Sequence, residues 1–433
     1  MRGMNKIKHT IYTILLAGLL MAEAVGCQRA DQTRTITLPP LADADPDSET
    51  IQIGRILEYN SDGPIESMIY PGIGMKGDNV IYLLTRDMAN DTSQCLKVDM
   101  EQERILDDIY VEEGNVSIFN AFFAPGGQYL AYERIMEEQG LNQLVLFSVE
   151  NQGMQFFWET RETNEVYQYA WSDDGTCLFT WQDGAGYDPY QDWQITRYKI
   201  NEQPDKTLRV DKTQFNLEGR GAAVRSVLPS ADGSEVYVRE DFELLMSGRA
   251  LDMMAQNKDS SAAAGSGAST GGTSTDSDMD INDVIPPANN WLIDMDEMIM
   301  SSLPEYFKGT ASPIKYTQAG LFVQEEGGLL CLIGDIGGQA TRTELFQTEG
   351  MEVCVCGKGD HVFLAEWITP GTYQISGARI LEGEAFGRKI LYRGTQDSVE
   401  RLSVEGDHMI VFHSLEYAEP RGHYFLKIVS LEY

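Results

Sequence analysis

Trp181, Asp183, Gly184, Tyr187, Asp188, Tyr190, Asp192 and Trp193 form a dense patch of side chains that could do recognition chemistry. Aromatic faces beside carboxylates suit two kinds of guest. One is a sugar, whose apolar face stacks on a ring while its hydroxyls bond the acids. The other is a cationic peptide, held by cation–π contact and by charge. Trp367 and Tyr373 stand at the matching step of a later unit. From these we take Tyr187, Asp188, Tyr190, Asp192, Trp193 and Trp367 as ligand-binding or partner-binding residues. Packing of the aromatics between structural units, with the acids in solvent, is the competing reading.

Other patterns fail on their surroundings. Gly267-Ala268-Ser269-Thr270-Gly271 has the spacing of a hydrolase nucleophile turn. That chemistry needs a strand before the serine and a helix after it, and here the pattern sits in low-complexity sequence. Asp276, Asp278 and Asp280 have the opening spacing of a calcium loop, but Ile281 replaces the glycine and Pro287 the bidentate glutamate. Met295, Met298 and Met300 offer thioethers to copper(I), yet methionine is also an ordinary core filler. Cys354 and Cys356 share a strand face without a second nearby pair, and His361, His408, His413 and His423 are scattered. His361 and His408 hold equivalent strand starts, as a repeat gives without any function. We therefore assign no catalytic residue, no metal ligand and no cofactor.

The elements that position these residues begin with location. Arg2, Lys6 and Lys8 precede the mostly apolar run Ile11 to Ala22, and Ala24-Val25-Gly26 leads to Cys27. The run is too short for a spanning helix and has the layout of a secretory signal. A cysteine straight after Ala-Val-Gly resembles a bacterial lipobox. The resemblance implies cleavage after residue 26 and acylation of Cys27, and several acyl chains hold a protein stably in a membrane. Residues 27–48 then read as the lipidated cysteine and a flexible tether, with Pro39-Pro40 and acids at 43, 45, 47 and 49. Such a tether spans roughly 25 Å.

The five remaining cysteines are odd in number and widely spread, which is not a disulfide framework. Net charge is −34, so nucleic acid and anionic surfaces are repelled. Hydrophobic residues make up 42% of the chain, enough for a sizeable core.

Residues 49–433 repeat a turn signal followed by a short apolar strand. Gly77-Asp78 precedes Val80–Leu84, Gly126-Gly127 precedes Tyr129–Tyr132, and Asp174-Gly175 precedes Cys177–Phe179. Asp232-Gly233, Gly320, Gly359-Asp360 and Gly406-Asp407 precede four more. A period of about 40 to 60 residues without alternating helices fits four strands per unit. The segments Phe123-Ala124-Pro125-Gly126-Gly127 and Trp171-Ser172-Asp173-Asp174-Gly175, with the looser Pro229-Ser230-Ala231-Asp232-Gly233, resemble the repeat of TolB-type, WD40-like propellers. The expected fold is all-β: one β-propeller of seven four-stranded blades, within a range of six to eight. The last unit stops one strand short, and Thr50–Tyr59 is expected to supply that strand and close the ring. Residues 242–288 interrupt the fourth unit, and Ser260–Thr275 contains only Ser, Ala, Gly and Thr, so a disordered loop is expected there.

The functional expectation is a monomeric lipoprotein, anchored by lipid on the extracytoplasmic side of a cell membrane. It would act as a non-enzymatic binding or assembly module with a protein or carbohydrate partner, and not with nucleic acid. The alternatives are an extracytoplasmic propeller enzyme acting on glycans or peptides, and a sensor partner of a membrane kinase or transporter. An enzyme would need acid and base groups converging near the central channel.

Overall fold

The computed structural model describes residues 52–432, omitting 61–67, 78, 88–91, 103, 115, 137–138, 161–166, 183–192, 203–207, 218–223, 241–288, 304–311, 326, 339, 349–351, 370–371, 396–400, 406–407 and 415–423. The chain divides after Thr37, and every described residue belongs to the unit Leu38–Tyr433. Cys27, the tether, the insertion with its serine and aspartate patterns, and Tyr187, Asp188, Tyr190 and Asp192 lie outside the described residues.

Among the described residues the regular structure is all strand. β1 (Gln52–Asn60) comes first. Then follow β2 (Met68–Lys76), β3 (Val80–Asp87), β4 (Thr92–Asp99) and β5 (Arg104–Glu113), and next β6 (Val116–Phe123), β7 (Tyr129–Met136), β8 (Leu141–Ser148) and β9 (Gly153–Thr160). The third group is β10 (Tyr167–Trp171), β11 (Cys177–Gln182), β12 (Trp193–Glu202) and β13 (Leu208–Leu217), and the fourth β14 (Val224–Pro229), β15 (Glu235–Glu240), β16 (Asn289–Asp294) and β17 (Ile299–Ser302). The fifth is β18 (Ser312–Thr317), β19 (Gly320–Gln324), β20 (Leu329–Gly334) and β21 (Thr341–Gln347), and the sixth β22 (Glu352–Lys358), β23 (His361–Thr369), β24 (Thr372–Leu381) and β25 (Glu384–Thr395). Each of these six groups pairs in chain order as one antiparallel sheet. The chain ends with β26 (Arg401–Glu405), β27 (His408–Ser414) and β28 (Tyr424–Glu432), and β1 adds to that sheet beside β28, with Leu57 opposite Ile428.

First strands border one another: β2 meets β6, β10 meets β14, β14 meets β18, β18 meets β22, and β22 meets β26. β6 reaches β10 through the Trp171 indole N–H, which donates to the Phe122 carbonyl at 3.2 Å. Phe122 also stands edge-on to Tyr169, ring centres 5.5 Å apart. The sheets therefore radiate from an axis lined by their first strands, which is the architecture of a β-propeller.

The core lies in layers between successive sheets. One layer joins Tyr82, Leu84 and Ile109 of the first group to Phe123, Leu130 and Val145 of the second. Another joins Cys177, Phe179 and Ile195 to Val227, Val236 and Ile293. Period-two alternation places these β-branched and aromatic residues on the inner faces. Cys95, Cys177, Cys331 and Cys356 are buried and Cys354 half-buried, all as free thiols. Burial pushes the Cys95, Cys177 and Cys331 thiols up, so they act as small apolar side chains. Met295 and Met300 pack in the layer between the third and fourth sheets, while Met298 is exposed on a turn.

The repeat signature has a mechanical reason. In the β10–β11 turn, Ser172 Oγ donates to Asp174 Oδ1 at 2.7 Å and accepts from the Cys177 N–H at 3.0 Å. The Thr176 N–H and hydroxyl also donate to Asp174 Oδ1, at 2.9 and 2.8 Å. In the β14–β15 turn, Ser230, Asp232, Ser234 and the Glu235 N–H repeat the pattern. Gly175 has φ +69°. A Cβ there would stand 2.4 Å from the Pro125 carbonyl oxygen of the preceding sheet's turn. Glycine is needed both for the dihedral and for the close approach between neighbouring turns.

Candidate functional site

The first-to-second-strand turns gather at one end of the axis and enclose a pit of about 960 Å³. Four consecutive sheets contribute. Asp173 and Asp174 come from the β10–β11 turn, Asp232 and Glu235 from the β14–β15 turn and the start of β15, Lys315 and Tyr316 from β18, and Cys356 and Gly357 from β22. Asp335, in the β20–β21 turn, adds a further carboxylate. Five carboxylates therefore line the pit beside one ammonium.

That ammonium is placed across the pit. Lys315 Nζ lies 2.9 Å from Asp173 Oδ1, and both side chains are about one-third exposed. Their sheets are not neighbours, because the β14–β17 sheet stands between them in the ring order. The pair can form only because the first strands converge there. Next to it, the Tyr316 hydroxyl donates to Glu235 Oε2 at 2.7 Å. Burial first, then the bond to Glu235, hold the Tyr316 phenol well above its usual value, so it stays a donor at neutral pH. Burial pushes the Asp232 carboxyl up, but donors from Ser234 and Ser230 outweigh it and leave Asp232 below the usual carboxylate range. Asp232 is thus an anion at neutral pH, and a poor general acid.

A smaller cavity of about 320 Å³ adjoins the pit and shares Asp174, Asp232 and Ser234 with it. Arg197, from β12, lines this cavity and is 5% exposed. It donates to the Gly233 carbonyl at 3.1 Å and to Asp296 Oδ1 at 2.7 Å. Its Nε, also buried, has no hydrogen-bond partner. Among the described residues no group of three or more His, Cys, Asp or Glu side chains has the placement to hold a metal ion.

Those of the residues singled out in the sequence that the structure describes fall elsewhere. Trp193 starts β12, opposite Leu217. Trp367 is half-buried against the core of Phe363, Tyr373 and Ile375, and its indole N–H donates to the Thr369 carbonyl at 2.6 Å. Tyr373 is fully buried. Trp181 packs against the layer between the third and fourth sheets. The structure thus uses Trp367, Tyr373 and Trp181 in packing and does not bring them to the pit. Sequence reasoning missed Lys315, Tyr316, Glu235 and Asp335. The available signal was that the repeat turns themselves carry acids, Asp173 and Asp174 above all, and that such turns share one face of a propeller.

Fold and site together define a β-propeller with an acidic pit at one axial opening. No family model matches the chain, and no curated protein does. Solved structures similar to it include the β-propeller domain of the Trilobed protease from Pyrococcus furiosus, at 9% identity and TM-score 0.46, covering 87% of this chain and 96% of that one. A structure from a study of two prolyl endopeptidases matches at 10% identity and TM-score 0.45, covering 81% of this chain and 47% of that one. An oligogalacturonate lyase in complex with manganese matches at 12% identity and TM-score 0.42, covering 82% and 98%. The chain thus spans about half the length of the prolyl endopeptidase it matches. With TM-scores below 0.5, these likenesses carry no argument about what this chain binds or does.

Proposed function

We infer that the protein is an extracytoplasmic lipoprotein, held in the membrane through Cys27, whose propeller serves as a non-enzymatic binding or assembly module. The propeller has seven blades and is closed by its N-terminal strand. The pairing of β1 with β28, beside six sheets of consecutive strands, supports that count. The observation that carries the functional reading is the pit. It is large, it carries five carboxylates, and it is built from elements of four sheets. Function placed on turns of a rigid scaffold leaves the core unaffected. The partner meets the turn face, at the pit.

Two experiments test this. Cys27→Ser releases the protein from the membrane fraction, and mass spectrometry of the wild type finds a diacylglyceryl cysteine at its N-terminus. An unmodified N-terminus at another position overturns the anchor. A photo-crosslinking residue at Gln318, exposed on the pit wall, captures a partner in intact cells. The same residue at Ile105, exposed on outer strand β5, does not. Equal capture at both positions, or none at 318, removes the pit from the binding surface.

A further inference from the structure

Phe119 and Phe122, on the axis-bordering strand β6, are 48% and 37% exposed. Three residues apart on a regular strand, they would point to opposite faces. A bulge at Asn120 and Ala121 prevents this. Phe119 pairs with Glu133 and Phe122 with Ala131, which are two residues apart on β7. Both rings therefore stand on one face, with Glu133 directly across from Phe119. That face is turned to the β10–β13 sheet, because Ala131 packs with Leu178, Tyr169 and Trp171. We propose that Phe119, Phe122 and Glu133 form a binding site for a quaternary ammonium group at the seam between β6 and β10. The site is separate from the pit and stands whether or not the pit binds a partner.

The carboxylate is the first ground. Glu133 is half-buried, and the Asn120 amide donates to its Oε1 at 2.9 Å. Asn120 belongs to the bulge and has φ +46°, so the feature that aligns the rings also supplies this donor. Burial raises the Glu133 carboxyl and outweighs the Asn120 bond, and no described cation is among the groups that shift it. A half-buried carboxylate without a counter-charge gains when a cation is brought beside it.

The rings are the second and independent ground. An exposed phenylalanine offers a cation the negative face of its quadrupole. Phe122 stands edge-on to Tyr169, ring centres 5.5 Å apart, and its carbonyl accepts from the Trp171 indole N–H at 3.2 Å. Its position is thus set before a guest arrives. Two rings and one acid also select among cations. A primary ammonium is strongly hydrated and needs several acceptors, and one oxygen of Glu133 is already bonded to Asn120. A quaternary ammonium donates no hydrogen bond, so ring faces and a single charge serve it.

The test is titration of tetramethylammonium chloride with the mature protein, followed at the methyl proton resonance. A methyl group over a ring face shifts upfield, and contact with a carboxylate alone does not produce that shift. An upfield shift that saturates in the millimolar range is expected. Phe119→Leu keeps apolar bulk, removes the ring, and weakens binding about two- to fivefold. Phe119→Trp tightens it by a similar factor, since indole is the best cation–π partner. A gain of affinity is a result that damage to the fold does not give. Glu133→Gln keeps the acceptor for Asn120, removes the charge, and weakens binding about two- to fivefold. Choline and phosphatidylcholine vesicles then compete for the site. Competition by choline assigns a soluble guest, competition by vesicles alone assigns a lipid headgroup, and competition by neither overturns the inference. It is equally overturned if the resonance does not shift, or if Phe119→Leu binds as the wild type does. Tighter binding of n-butylammonium than of tetramethylammonium also overturns it, since the site then selects a hydrogen-bonding cation.

Discussion

Two of the carboxylate–cation pairs that bridge sheets among the described residues differ sharply in burial. Glu112, on β5, meets Arg134, on β7, at 3.0 Å, with side chains 8% and 14% exposed. The Tyr132 hydroxyl donates to the same Glu112 oxygen at 2.7 Å, and Arg134 Nε donates to Gln143 at 2.7 Å. The guanidinium also lies over the Phe156 ring, 4.7 Å from its centre. Every member is held from several sides. Asp173 and Lys315 form a pair of similar length at the pit, each about one-third exposed, joining sheets that are not neighbours in the ring. The chemistry of the two pairs is the same and the burial is not. Sealed in a layer, the pair fixes one sheet against the next. Part-exposed at a cavity, the pair is screened by solvent and ties its two sheets only weakly.

The largest effect expected is at the sealed pair. Glu112→Ala leaves Arg134 and the Tyr132 hydroxyl buried without their acceptor, and stability measured by urea unfolding falls by about 3–5 kcal/mol. A loss below about 1 kcal/mol would erase the contrast between the pairs. Next comes the turn that positions Asp173. Gly175→Ala puts a Cβ against the Pro125 carbonyl oxygen at positive φ, and unfolding free energy drops by about 1–3 kcal/mol or more. An unchanged midpoint would mean the two turns can separate freely.

Lys315→Met, by contrast, changes stability by less than about 1 kcal/mol, because its pair is part-exposed. A loss as large as that of Glu112→Ala would make the open pair a lock as well. The smallest effect is at acid pH. Asp232 sits below its usual range because donors from Ser234 and Ser230 outweigh burial. Asp360 does so because the Arg379 hydrogen bond and the His361 and Arg379 charges outweigh it. Both folded pKa values lie below the unfolded ones. Their stabilisation is therefore full above about pH 4 and is lost as pH falls through the folded values. Asp360→Asn flattens that acid limb in a pH series of urea melts, and an unaltered slope would contradict it.

The propeller was legible in the sequence because its turns are chemically demanding. Ser172, Asp174 and Gly175 each meet a local need, as hydroxyl, carboxylate acceptor and positive-φ residue, and Ser230, Asp232 and Gly233 meet the same needs one unit later. Short apolar runs straight after turn signals marked strands such as β7, β11 and β23 for the same local reason. The pit was not legible. Lys315 and Asp173 meet only after the intervening β14–β17 sheet is folded around the axis, and no periodicity in the chain announces such a pair. Aromatics are ambiguous in the opposite direction. Tyr373 and Trp367 carry the residue types of a recognition surface, yet an aromatic on an inner face fills the gap between sheets. A ring reports its own size and polarity, and it does not report which side of the pleat faces the core.

The most direct test of the pit as the binding surface is hydrogen exchange of the mature protein with and without the partner captured through residue 318. The account predicts added protection at the amides of 172–176, 230–235 and 315–320, the turns that form the wall. Protection confined to the acidic outer strand 104–113, with those turns unchanged, would contradict it.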